Sequence, residues 1–129
     1  METNLFERKE FLAQPWISQN STNMFTKTEI NQNTIVHVNL MRATANESEF
    51  LKDFLKVFEN NSGNKVIFDL SVCSFIDSTF LSAIITFNKT YKSKVDIVVK
   101  DMRQLTIFKI TKLDKIFDIH SDIEAATIS

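Results

Sequence analysis

The sequence predicts an α/β fold: a mixed, mostly parallel β-sheet of about four to five strands with about four α-helices. Three observations carry that expectation. Lys65 to Leu70 is almost wholly apolar apart from Asp69, as a central strand covered on both faces must be. Phe50 to Phe58 and Phe80 to Tyr91 repeat apolar residues at helical spacing on either side of it. Beyond them strands and helices keep alternating, a pattern that right-handed crossovers turn into a parallel sheet.

The elements follow in order. Met24 to Glu29 and Thr34 to Leu40 read as two strands joined by the polar turn Asn31-Gln-Asn33, and they can pair antiparallel. In the second, Ile35, His37 and Asn39 share one face, while Val36, Val38 and Leu40 share the other. His37 is then an ordinary strand histidine near an edge or surface. Asn46-Glu-Ser-Glu49 has capping-box spacing and opens a helix whose stripe is Phe50, Phe54 and Phe58, with Leu51 and Leu55 beside it. Asn60-Asn-Ser-Gly63 ends that helix, Gly63 being the natural left-handed residue. After the central strand a second helix runs from about Ser78 to Tyr91, with Phe80, Ile84, Phe87 and Tyr91 at helical spacing and Leu81 and Ile85 alongside. Val95 to Val99 is the next strand and Met102 to Ile110 the next helix. Ile116 to Ile119 reads as a short edge strand, and Ser121 with Glu124 caps a last helix, Asp122 to Thr127.

Residues 1–23 stand apart as an N-terminal extension to a domain of residues 24–129. They hold the only proline and the only tryptophan, Pro15 and Trp16, followed by a polar run. Asn4 and Glu7 have the spacing to open a short helix carrying Leu5, Phe6, Phe11 and Leu12. This segment either docks on its own domain or makes a homodimer contact; both readings stay open.

Composition narrows the function. The 129 residues suit one domain, with 43% apolar and 24% charged residues and 12 phenylalanines to fill the core. One glycine leaves no glycine-rich phosphate cradle. A formal charge of -1 with no basic block argues against nucleic acid. A single cysteine excludes an intrachain disulfide, and Cys73, His37 and His120 lack metal-ligand spacing, so no metal or cofactor is expected. Cys73 reads as a small buried hydrophobe. The charged N-terminus is unlike a secretory signal and no stretch reaches the ~20 apolar residues of a membrane span, so the expected location is cytoplasmic.

The chemistry-bearing stretch is Phe75-Ile-Asp-Ser-Thr-Phe-Leu81, which puts Asp77, Ser78 and Thr79 where a helix begins. Helix N-termini carry unpaired N–H groups and a positive field, and aspartate and serine there are commonly mere caps. Pairing Ser78 with His37 or His120 as nucleophile and base finds no nucleophile elbow to support it, so an enzyme is not expected. Asp69 reads as a hydrogen-bonded residue at a strand end.

Val66-Ile-Phe-Asp-Leu-Ser running into Phe75-Ile-Asp-Ser-Thr-Phe-Leu81 resembles the STAS domain of anti-sigma factor antagonists, in which an apolar strand is followed by a D-S-(S/T)-G-L turn. Val98 to Phe117 resembles that family's third helix and its ending. The resemblance covers about residues 24–127 and implies a STAS fold. It also implies an anti-anti-sigma factor that binds a serine-kinase anti-sigma factor, a GHKL-type ATPase, when unphosphorylated. Phosphorylation at Ser78, with Thr79 as fallback acceptor, releases the kinase, and a PP2C-type phosphatase reverses it. Asp77, Ser78, Thr79 and Phe80 are the implied partner-binding residues. The sequence departs from the pattern at Phe80 and Lys112, where the family has glycine, and at Ala43, where it often has an acid that touches the kinase. Those departures suit an alternative, a STAS subunit docked constitutively in a lipid-transport or stress-signalling complex.

Overall fold

The computed structural model describes residues 24–58 and 63–129. The readings made for residues 1–23, and the asparagine-rich helix end at 60–62, lie outside the described residues. Strands β1 (Phe25–Ile30), β2 (Asn33–Val38), β4 (Lys65–Asp69), β6 (Val95–Val98) and β7 (Asp118–His120) form a sheet in the order β1-β2-β4-β6-β7. Only β1 and β2 are antiparallel; the other neighbours are parallel. The helices are α1 (Ala45–Leu55), α2 (Ser78–Thr90), α3 (Met102–Ile110) and α4 (Ile123–Ile128). Among the described residues, the five-stranded mixed sheet and four helices agree with the expected class.

The hairpin between β1 and β2 turns on two residues, Asn31 and Gln32, both at positive φ (51° and 66°). A pair of left-handed residues matches the twist of flanking strands in a two-residue loop. Asn33 therefore belongs to β2, where its amide donates to the Ile30 and Asn31 carbonyls and to Thr127 of α4. Alternation along β2 splits the core. Val36 and Val38 join Val66, Phe68, Leu70, Ile97 and Val99 beneath α1 and α2, while Ile35, Ile67 and Val98 meet Ala126 of α4 on the other face. The strand β4 is buried from Val66 to Asp69, as its apolar run requires.

Helix α1 starts two residues earlier than the sequence suggested. Thr44, not Asn46, is the cap: its hydroxyl accepts from the Asn46 N–H, and the Glu47 carboxylate accepts from the Thr44 N–H. Both Thr44–Glu47 and Asn46–Glu49 have the right spacing, and packing decides between them. The inward residues are Ser48, Leu51 and Leu55, continued by Phe58 in the following 3₁₀ turn (Lys56–Phe58), so Phe50 turns outward and Glu49 reaches Lys52 instead.

Near the C-terminus, β7 begins two residues later than expected and Ile116 is exposed, because the 3₁₀ turn Leu113–Lys115 takes up the chain after α3. Lys112 enters that turn at φ 64°, the left-handed conformation that favours the family's glycine. Asp122 rather than Ser121 caps α4, accepting from the Ala125 N–H at 2.8 Å. Asp96, fully buried on β6, anchors this end of the chain. Its carboxylate accepts from Lys65 at 3.3 Å and bonds His120 at 2.9 Å, and Lys65 also donates to the Ala126 carbonyl at 2.6 Å.

Candidate functional site

Two short strands that the sequence reading missed build the site. β3 (Arg42–Ala43) pairs in parallel with β5 (Phe75–Ile76), at the end of the main sheet where β2 and β4 finish. Such a two-residue ladder has no periodicity to read. It is fixed by the N–H groups of Ser74 and Phe75, which both donate to the Met41 carbonyl, and by that of Asp77, which donates to the Ala43 carbonyl. Each strand feeds directly into a helix, β3 into α1 and β5 into α2. The two helix N-termini are thereby brought side by side.

Asp77 sits at their junction in extended conformation as the N-cap of α2. One carboxylate oxygen accepts from the Phe80 N–H at 2.8 Å; the other accepts from the Ala45 N–H, the first residue of α1, also at 2.8 Å. A single anion therefore answers open donors of both helices, where both helix fields are positive. Ser78 and Thr79 follow as the first two residues of α2, and both are exposed. Neither hydroxyl bonds another described residue.

Phe80, named from the sequence as a partner-contact residue, does not lie on this surface. Its side chain is completely buried and stacks on Phe25, with ring centroids 6.2 Å apart. The helical repeat that brings Phe80 into line with Ile84 and Phe87 turns it to the core as Ser78 and Thr79 turn to solvent. Ala43 is also fully buried, so its side chain contacts the interior. Exposed apolar groups lie on the segments that lead into the two helices instead: Met41 (71% exposed), Val72 (56%) and Phe75 (39%). The Arg42 guanidinium lies 4.4 Å from the centre of the Phe75 ring, a cation–π contact that holds this charge against an apolar face. Gln104 of α3 donates to the Ser74 carbonyl and ties the third helix to the same end of the sheet.

The other singled-out residues are engaged elsewhere. His37 bonds Asp69 at 2.8 Å and Thr28 at 2.9 Å, so Asp69 is the hydrogen-bonded strand-end residue the sequence suggested. His120 is held by Asp96. Neither histidine is bonded to Ser78. Cys73 is buried, and desolvation, with the Asp69 charge adding to it, pushes its thiol up to about 12. Among the described residues no group of three or more histidines, cysteines and acids is placed to hold a metal ion. No described helix is long and apolar enough to cross a membrane.

A fold in which a central parallel strand leads through a short bridge to an acid–serine–threonine helix start defines a recognised class. Residues 24–126 match the model of the STAS domain, and the chain belongs to that family. Its structure is similar to that of an anti-sigma factor antagonist from Mycobacterium paratuberculosis, with a TM-score of 0.69 and 16% identity over 79% of this chain and 88% of the other. It is likewise similar to a putative anti-sigma factor antagonist from Thermotoga maritima, with a TM-score of 0.63 and 23% identity over 83% and 94% of the two chains. No curated protein matches the sequence.

Proposed function

We propose that the chain is an anti-sigma factor antagonist, a non-catalytic binding module whose docking surface is controlled by phosphorylation at Ser78. The single observation that carries this reading is the exposed Ser78 hydroxyl, bonded to no described residue, beside a carboxylate that two helix N-termini hold in place. The partner is a GHKL-type serine kinase acting as anti-sigma factor, and a PP2C-type phosphatase restores the unmodified state. The likeness to the two antagonist structures supports the choice of partner.

Charge makes the switch. A phosphate brings roughly -1.5 to -2 charges to a helix start that accepts anions without refolding. Asp77 keeps its bonds to the Phe80 and Ala45 N–H groups, so the new charge adds to its own. Two unit charges ~5 Å apart at an effective dielectric of ~20 repel by about 3 kcal/mol. Repulsion of that size between the phosphate and an acid on a docked surface corresponds to about two decades in affinity. The exposed Met41, Val72 and Phe75 give the unmodified face its apolar contact area. Asp77 and Thr79 complete that face.

The test is capture from native extract followed by phosphosite mapping. The expected outcome is a histidine-kinase-like ATPase that, with ATP, adds one phosphate at Ser78; Ser78→Ala stays bound and Ser78→Asp binds weakly. A second reading draws on Asp77, whose cap to α2 is a complete structural role by itself. In it the domain docks constitutively in a transporter or stress-signalling complex, and capture of a transporter ATPase or scaffold with Ser78 unmodified selects it.

A further inference from the structure

A cleft of about 600 Å³ opens between α3 and β7, within the ~300–1,000 Å³ range of small-molecule sites. Val99, Leu105, Phe117 and Ile119 form its apolar floor. β7 is an outer strand of the sheet, and among the described residues no further strand pairs beyond it. Four charged or titratable side chains also line the cleft, and two of them are already matched. Asp118 is paired with Lys94, and His120 with the buried Asp96. The remaining two, Lys109 on α3 and Asp114 in the 3₁₀ turn, line the same space yet pair neither with each other nor with any other described residue.

We propose that this cleft binds a small apolar zwitterion, an α-amino acid with a large aliphatic or aromatic side chain. The side chain covers the floor, the carboxylate meets Lys109, and the ammonium meets Asp114. Charge complementarity selects this class. A simple anion drawn to Lys109 is repelled by Asp114, and a simple cation is repelled by Lys109; a ligand carrying both charges satisfies both groups. The apolar floor then separates large side chains from glycine by the area they take from water. Contacts of this number with so small a ligand give a Kd on the order of 0.1–1 mM. The site is independent of Ser78 and of the kinase reading.

Titration of the isotope-labelled full chain with L-phenylalanine and L-leucine, followed by amide NMR shifts, tests the assignment. The expected result is saturable shifts at Leu105, Lys109, Phe117 and Ile119. N-acetyl-L-phenylalanine, which lacks the ammonium, L-phenylalaninamide, which lacks the carboxylate, and glycine each bind at least tenfold more weakly. Lys109→Ala and Asp114→Ala, both at exposed positions, each weaken L-phenylalanine tenfold with an unchanged melting temperature. No saturable shift up to about 10 mM ligand, shifts confined to another surface, or equal binding of the capped analogues would overturn the assignment.

Discussion

Replacing Asp77 by alanine removes one carboxylate and opens the start of two helices at once. The cap on α2, the bond from the Phe80 N–H, is worth about 1 kcal/mol. The Ala45 N–H of α1 loses a charge-assisted partner. Such bonds contribute ~1.5–3 kcal/mol when well buried, and the lower end or below applies here because water reaches the exposed Ala45 terminus. The sum is about 2 kcal/mol, or roughly 8 °C in melting temperature for a domain of this size. Asp77→Asn keeps one accepting oxygen and turns its other end into a donor facing an N–H group, so it loses about half as much. Ser78→Ala, which removes a hydroxyl with no bond to a described residue, leaves the melting temperature within about 1 °C. Thermal and urea unfolding of the three variants read these values. A wild-type melting temperature for Asp77→Ala, or equal losses for alanine and asparagine, would refute the bridge between the helices.

Restoring the family's glycine at Phe80 empties a fully buried site stacked on Phe25 and should cost about 4 kcal/mol or more, enough to leave the chain largely unfolded in mild urea. Asp96→Ala strips the buried partner of Lys65 and His120 and should lose about 3 kcal/mol by urea unfolding, with amide exchange accelerated first in α4. Cys73 yields a pH prediction. Its folded value of about 12 lies above its ordinary 9.0, so the folded state keeps a proton that the unfolded chain gives up. The thiol's contribution is therefore full below pH 9.0 and is lost as pH rises toward 12, by about 1.4 kcal/mol per unit. That slope should vanish in Cys73→Ala, and the native thiol should stay unreactive to alkylation near pH 8.

The order of elements was legible because Val66 to Leu70 and the Phe80–Ile84–Phe87 repeat each carry a periodicity that only one kind of element satisfies. Element ends were less so. Thr44 and Asn46 offer the same capping chemistry two residues apart, and only the burial of Ser48 and Leu51 chooses between them. The placement of Ser78 and Thr79 at the start of α2 followed from local sequence, since a cap needs nothing beyond its own turn. The partner of that cap did not. Asp77 meets Ala45 across 32 residues, through the β3–β5 pairing that two residues a side cannot announce. Phe80 was misplaced for a related reason: its neighbours in the motif suggested a surface, while its helical phase with Ile84 assigned it to the core.

The most direct measurement compares the affinity of the captured kinase for the unmodified chain and for the chain carrying phosphoserine at position 78. Repulsion between the phosphate and an acidic group that the kinase brings to the paired helix starts calls for a Kd about a hundredfold weaker after modification, with an unchanged fold by amide NMR outside residues 75–81. Equal affinities for the two forms would show that a charge placed on Ser78 does not govern docking.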